Sequence, residues 1–270
     1  MLLRRRSRDF ASVDLLAARD RAMAIAATKA YAGFVETVRD ESPWRFNGAK
    51  ELDRYLRNVD HHLLNFVPEV LACLDDDVRT VFDFGCGSGS GSIALAMVLP
   101  EVRCHGVDID PAEVAIGRAR AKLYGVDDKC HFECIKAEQA LPVSSGVFDL
   151  CVCCSVLEYV TNMEVRKLCV QEMTRSIAPG GLLFVTVPNR FYPVELHSRK
   201  LGWNYFPGLL KARIVGSSMW EVKRLAKPYV LKPHHTPLRK LLAPWTNFCL
   251  KKDDPTAQAE RVNPQTLASC

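Results

Sequence analysis

The chain has 270 residues, 11 of them cysteines, and a formal net charge of +5. This length suits one well-buried α/β domain with appendages and is short for two complete domains. A content of 48% hydrophobic and 25% charged residues excludes a disordered chain, and no apolar run approaches the roughly 18 residues of a membrane span. The odd cysteine count and the lack of a recognisable leader favour a reducing, cytoplasmic location.

Apolar residues at helical spacing over residues 11–39, and again over 49–67, predict two amphipathic helices before the first strand. Pro43 and Gly48 interrupt the pattern between them. We therefore expect residues 1–79 to form an N-terminal helical cap rather than the core of a sheet.

From Thr80 onwards, short strand-like runs alternate with helical patterns, which predicts a mostly parallel, Rossmann-like sheet flanked by helices over residues 80–187. The predicted strands are 80–84, 103–108, 131–135, 148–154 and 182–187. The predicted helices are 91–98, 111–123 and 163–176, with a short one at 137–141. The apolar strand 148–154 contains Cys151 and Cys154 in a C-x-x-C pattern, but no second ligand pair follows, and we expect no metal.

Residues 188–252 predict a basic, aromatic lid and the C-terminal end of the sheet. Residues 190–252 hold 13 Lys and Arg against Glu195 and Glu221. Such a surface suits an aromatic, lipophilic or anionic small molecule or peripheral contact with a membrane, although a solvated face or a small core of its own explains it equally well. The stretch from His234 predicts a helix and one short strand, "NFCLKK", and residues 253–270 predict a disordered tail.

The segment "TVFDFGCGSGSGS", residues 80–92, places glycines at alternate positions directly after a strand. The spacing matches neither the dinucleotide pattern G-x-G-x-x-G nor the nucleophile pattern G-x-S-x-G, and the Gly-Lys-Ser/Thr ending of a phosphate loop is missing. What remains is an acidic residue, Asp83, two positions before Gly85, with Gly87 and Gly89 following.

With these residues the chain resembles the class I S-adenosylmethionine (SAM) dependent methyltransferases, in the style of the type 11 branch that acts on quinones, lipids and other small molecules. The resemblance covers residues 78–190 and continues in order through "VDIDP", "KAEQALP", "FDLCVCCSVLEYV" and "IAPGGLLFVTVPN". It implies SAM as cofactor and S-adenosylhomocysteine (SAH) as product. The family's sheet has the order 3-2-1-4-5-7-6, whereas a single recognisable strand after residue 188 predicts a truncated or rearranged edge.

The resemblance also implies roles for individual residues. The backbone of Gly85, Gly87 and Gly89 would approach the amino-acid end of SAM, which Asp83 would help to hold. Asp108 would accept hydrogen bonds from the ribose hydroxyls, and Ile109 would lie against the adenine. The adenine edge would meet either Glu138 or the backbone of Ala137, and Ser155 would face the reaction centre or serve in packing.

Methyl transfer to a hydroxyl benefits from a general base, for which the sequence offers Glu158, His197 and His235, each of which could equally be structural. The chain lacks the Asn/Asp-Pro-Pro-aromatic tetrad of nucleobase methyltransferases, so we expect no nucleic-acid partner. The predicted activity is methyl transfer to a small molecule, at oxygen rather than at carbon or nitrogen. Two alternatives stay open, namely a non-catalytic scaffold and an RNA or protein methyltransferase that uses the basic lid. The sequence does not fix the oligomeric state.

Overall fold

The structure is a computed structural model that describes residues 14–43, 46, 48–74, 78–136, 140–189, 192, 217–235 and 244–254. Most of the predicted lid and nearly all of the predicted tail lie outside these residues, as does most of the short helix predicted at 137–141.

A seven-stranded sheet forms the centre of the molecule, in the order β3-β2-β1-β4-β5-β7-β6. The first five strands of this order pair in parallel, and β7 pairs antiparallel with both β5 and β6. The strands are β1 (Thr80–Phe84), β2 (Arg103–Asp108), β3 (Cys130–Cys134), β4 (Phe148–Cys154), β5 (Ile177–Pro188), β6 (Leu231–His235) and β7 (Trp245–Lys252).

Helices cover both faces of this sheet, because successive side chains of a strand point to opposite faces. In β1, Val81 packs into a core with the first helices of the chain, and Phe82 packs into a second core with the last helices. The helices are α1 (Leu15–Ile25), α2 (Lys29–Glu41), α3 (Ala49–Leu56), α4 (Asn58–Asn65), α5 (Val67–Leu71), α6 (Ser90–Val98), α7 (Pro111–Tyr124), α8 (Met163–Ser176) and α9 (Met219–Leu225). None of the described helices is long and apolar enough to cross a membrane.

The two helices predicted before the sheet are five in the structure. Thr28 caps the start of α2 and so ends the first helical run, and the predicted helix over 49–67 is divided into α3, α4 and the start of α5. Apolar spacing continues across these breaks, which is why periodicity alone does not reveal them. Leu63 and Val67 are fully buried in the same core as Val81, so these helices contribute directly to the interior under the sheet.

The prediction of a truncated or rearranged sheet edge is wrong. Both antiparallel strands are present, and the order is the complete 3-2-1-4-5-7-6 arrangement. The missed strand is β6, whose sequence "LKPHH" has no apolar alternation and contains Pro233. An edge strand tolerates proline because one side of its backbone needs no partner in the sheet. A helix was predicted to begin at His234, but His234 and His235 form the end of this strand instead. Residues 236–243 lie outside the part of the chain that the structure describes.

Candidate active site

A cavity of about 730 Å³ opens at the carboxyl ends of β1, β2 and β4. This is the position at which open parallel sheets bind ligands, because the strand order reverses there and the loops diverge. Its floor is the loop between β1 and α6, and its wall on the other side comes from α3 and α4. The volume lies in the range of small-molecule and cofactor sites.

The floor of the cavity needs its glycines for conformation. Gly85, Gly87 and Gly89 all adopt positive φ angles, of 72°, 50° and 72°. A Cβ at Gly85 would also collide with Val156, and one at Gly89 with the ring of Phe132. The loop is thus held against its neighbours while its backbone is left bare towards the cavity.

Asp108, at the end of β2, organises this floor. Its Oδ2 accepts a hydrogen bond from the Gly87 amide at 2.7 Å, and its Oδ1 accepts one from the Asp110 amide at 3.0 Å. Each carboxylate oxygen has a second lone pair. Asp108 lines the cavity, so its remaining acceptor capacity suits a pair of ligand hydroxyls.

Asp83 lies behind the cavity floor and is buried. Its Oδ2 accepts a hydrogen bond from the Ser92 hydroxyl at 2.6 Å. The pKa of Asp83 is raised to about 6, mainly by burial and also by the neighbouring charge of Asp108, while the hydrogen bond from Ser92 opposes both. Asp83 is not among the residues that line the cavity. It can therefore affect a ligand only through its electrostatic field or by supporting the glycine loop.

The two sides of the cavity differ in the side chains that they present. Ile109 is 61% exposed and lines the cavity together with Ile135 and Leu141, on the side of β3. On the side of β4, the cavity meets Ser155, whose φ of 58° is the one positive value among the described residues other than glycine. A flat, apolar ligand group therefore fits towards β3, whereas the side towards β4 combines Ser155 with apolar residues such as Val156 and Val160.

The other predicted site residues either do not line the cavity or are not described by the structure. Ala137, Glu138 and His197 belong to the residues that the structure does not describe. For His235 the backbone is described as the last residue of β6, and its side chain is not. Glu158 is fully buried in the 3-10 turn after β4 and does not line the cavity; burial raises its pKa to about 7, against the influence of Arg166.

The wall formed by α3 and α4 was not predicted from the sequence. Tyr55, Asn58, His61 and His62 all line the cavity. The Tyr55 hydroxyl donates a hydrogen bond to Glu113 Oε2 across the cavity wall at 2.9 Å. The adjacent histidines within an amphipathic helix were the signal available in the sequence, but only the fold brings them opposite the glycine loop.

A buried arginine connects this wall to the floor. Arg120 of α7 is fully buried and donates to the Ser88 carbonyl at 2.7 Å, to the Ser90 hydroxyl at 2.6 Å and to the Tyr55 carbonyl at 3.0 Å. Its guanidinium also lies 5.2 Å from the ring centroid of Phe34 and 5.1 Å from that of Tyr55. The floor loop and the helical wall are thus joined through one side chain.

Among the described residues, no group of three or more His, Cys, Asp or Glu side chains is arranged to hold a metal ion. The expectation that the reaction uses no metal stays a prediction.

The sheet order, the glycine loop and the acidic residue at the end of β2 define a Rossmann-like domain built to hold a nucleoside-containing cofactor. Residues 81–181 match the family described as "Methyltransferase domain". The residues present fit SAM, since Asp108 retains acceptor capacity for ribose hydroxyls and the bare loop lies beside it.

Curated relatives with different acceptor atoms are similar to this chain. A ubiquinone biosynthesis O-methyltransferase from Aromatoleum aromaticum is 30% identical over 132 residues, which are 49% of this chain and 53% of the relative. A norajmaline N-methyltransferase from Rauvolfia serpentina is 30% identical over 107 residues, 40% of this chain and 35% of the relative. The matched region thus spans about half or less of these relatives.

Solved structures agree in fold. Geranyl diphosphate C-methyltransferase from Streptomyces coelicolor A3(2), crystallised with SAH, superposes with a TM-score of 0.53 at 15% identity, covering 84% of this chain and 98% of that one. A sarcosine dimethylglycine methyltransferase structure from Galdieria sulphuraria gives a TM-score of 0.52 at 14% identity, over 74% and 88% of the two chains. At such identities the likeness concerns the fold alone.

Proposed function

We propose that the protein transfers the methyl group of SAM to a small-molecule acceptor, at oxygen. The observation that carries the first half of this proposal is the cavity floor, in which Asp108 and the bare glycine loop face one ligand space. When bound, SAM supplies a methyl group on a sulfonium, which is already strongly electrophilic. The protein's main task is then to align the acceptor and to exclude water, which can supply about 7 to 11 kcal/mol of the barrier lowering.

The second half of the proposal is that oxygen accepts the methyl group. The curated relatives include both O- and N-methyltransferases, so similarity does not decide between these atoms. A hydroxyl acceptor requires a proton acceptor, and we propose His197, His235 or Glu158 for that task. The pKa of Glu158, about 7, suits proton transfer near neutral pH. Glu158 is buried outside the cavity, and separate substitution of the three residues tests the assignment.

The acceptor we propose is aromatic, lipophilic or anionic. The described acceptor side of the cavity includes Val160, Val165 and Leu168, beside the exposed ring of Tyr159. These side chains suit a partly apolar molecule, and the basic residues of the chain after residue 188 suit an anionic group on it. Contact with a membrane surface and a cytoplasmic location belong to the same proposal.

Cofactor binding is the first test. Calorimetric titration with SAM and SAH should give micromolar binding to the unaltered protein. Asp108→Asn removes the charge that strengthens the bonds to ribose and should weaken binding about tenfold to hundredfold. Asp127→Asn, an exposed acidic position after α7 outside the cavity, is the matched control and should bind normally.

Absence of SAH binding by folded protein would contradict the enzymatic proposal and favour the scaffold alternative. If SAH binds, methyl transfer from isotope-labelled SAM to phenols, carboxylic acids and amines identifies the acceptor atom. Transfer confined to amines would overturn the preference for oxygen. Transfer to RNA alone, with salt-sensitive binding, would replace the small-molecule acceptor with a nucleic acid.

A further inference from the structure

His62 of α4 faces the cavity from the wall opposite the glycine loop. Its ring is packed edge-on against Phe66, with centroids 5.6 Å apart and planes at 74°. A Cβ placed on Gly91, in the first turn of α6, would lie 3.5 Å from His62 Cδ2 and 3.7 Å from Asp83 Oδ2. The imidazole therefore lies close to the start of α6 and to the carboxylate of Asp83.

The hydrogen bond on one ring nitrogen fixes the tautomer. His62 Nδ1 lies 2.8 Å from the carbonyl oxygen of Asn58. A carbonyl can only accept, so Nδ1 carries the proton, and in the neutral ring Nε2 carries a lone pair. No hydrogen bond to Nε2 comes from the residues that the structure describes. The cavity wall thus presents a hydrogen-bond acceptor with a fixed orientation.

The order of the strands determines which end of a cofactor meets this acceptor. Asp108, at the end of β2, suits ribose hydroxyls, and the apolar side of the cavity, with Ile135, lies towards β3. The remaining part of the cofactor must extend the other way, over the ends of β1 and β4. His62 and the first turn of α6 lie on that side. The amino-acid end of SAM carries a carboxylate and an ammonium, and the ammonium needs acceptors.

The neighbourhood keeps the imidazole neutral. The pKa of His62 is lowered to about 4, mainly by burial and also by the charges of His61 and Arg120, while the hydrogen bond to Asn58 opposes these effects. The carboxylate of Asp83 lies near the same glycine, Gly91. A neutral ring accepts a hydrogen bond from a cation, whereas a charged ring would repel both the ammonium and the sulfonium of SAM.

We propose that Nε2 of His62 accepts a hydrogen bond from the ammonium group of the cofactor's amino-acid end. This role makes His62 a cofactor-positioning residue, distinct from the general base of the reaction. The inference rests on the proposed function, since it requires SAM in the cavity. The cofactor would then contact α4 in addition to the floor loop. This helix lies outside the matched region 81–181.

The test compares two probes, SAH and its deaminated analogue S-adenosyl-4-thiobutanoate, which lacks only the ammonium. His62→Leu should weaken SAH binding about tenfold to hundredfold, because a hydrogen bond to a charged group is lost. It should leave the affinity for the deaminated analogue unchanged. His62→Gln restores an acceptor oxygen and should recover SAH affinity to within about fivefold of the unaltered protein. His131→Leu, an exposed position on β3 outside the cavity, is the control for loss of a histidine.

Melting temperatures of all variants, measured first, separate unfolding from loss of the contact. Equal weakening of SAH and of the analogue by His62→Leu would overturn the proposal, as would unchanged SAH affinity. Unchanged SAH affinity would instead fit a role of His62 in accepting a proton from the molecule that is methylated. If the unaltered protein binds neither probe, the proposed function itself fails, which distinguishes that failure from failure of the His62 assignment.

Discussion

Asp83 is a carboxylate whose burial opposes folding at neutral pH. Its pKa is about 6 in the folded protein, against 3.8 in the unfolded chain. The folded state therefore holds the proton over a pH range in which the unfolded state has released it. Stability from this group is fully present below about pH 3.8 and is lost as the pH rises through about 6, at a total cost of at most about 3 kcal/mol.

We accordingly expect Asp83→Asn to increase the free energy of unfolding at pH 7.5, by up to about 3 kcal/mol, and to give no gain near pH 3.5. The same variant should bind SAH more weakly, because the negative field behind the loop is gone. Urea unfolding at the two pH values measures the first effect and calorimetry the second.

His62 affects the same pH range with the opposite sign, since its pKa falls from 6.5 to about 4 on folding. The test of Asp83 must therefore compare the variant with the unaltered protein at each pH, rather than use the overall profile. If Asp83→Asn were less stable than the unaltered protein at pH 7.5, the prediction would be wrong. The surroundings would then stabilise the ionised carboxylate of Asp83 enough to offset the cost of its burial.

At the scale of secondary-structure elements, Arg120 connects α7, the floor loop and α3. Removing its guanidinium would leave the Ser88 carbonyl and the Ser90 hydroxyl buried without their donor. We expect Arg120→Met to lower the free energy of unfolding by about 2 to 4 kcal/mol and to weaken SAH binding, because the loop loses its support. Chemical denaturation and calorimetry on the same preparation test both effects.

The matched control is Arg118→Met on the same helix. Arg118 donates to the Phe132 carbonyl at 3.0 and 2.8 Å but is exposed, so its removal should cost less than about 1 kcal/mol. Equal losses in both variants would mean that the contacts of Arg120 with the loop add nothing specific. Loss of stability without loss of SAH affinity would restrict Arg120 to a structural role.

Strands buried on both faces were predictable because apolar runs bounded by turns leave few alternatives. The bounds 80–84, 103–108 and 148–154 agree with the structure. The edge strand β6 was not predictable, because partner β7 and not its own pattern determines its conformation. The same division applies to the site: local glycine spacing identified the floor, whereas His62 comes from a helix distant in sequence and required the fold.

At the scale of the whole molecule, we expect the N-terminal helices and the sheet to unfold together, because they share one core. Leu63 of α4 is fully buried in the core that also contains Val81 and Ile93. We expect Leu63→Ala to lower the free energy of unfolding by about 2 to 5 kcal/mol, because it creates a cavity within a shared core. Leu64→Ala, at the adjacent position that is 47% exposed, should cost less than about 1 kcal/mol.

Native-state hydrogen exchange shows how far this loss extends. If the helices and the sheet form one cooperative unit, Leu63→Ala should reduce the protection of amides in α4 and in the central strand β4 by the same free energy. If residues 1–79 were a cap that opens separately, α4 would lose protection while β4 kept it. Equal reduction would place the cavity wall and its floor in one folding unit, so that the orientation of His62 is maintained by the stability of the whole molecule.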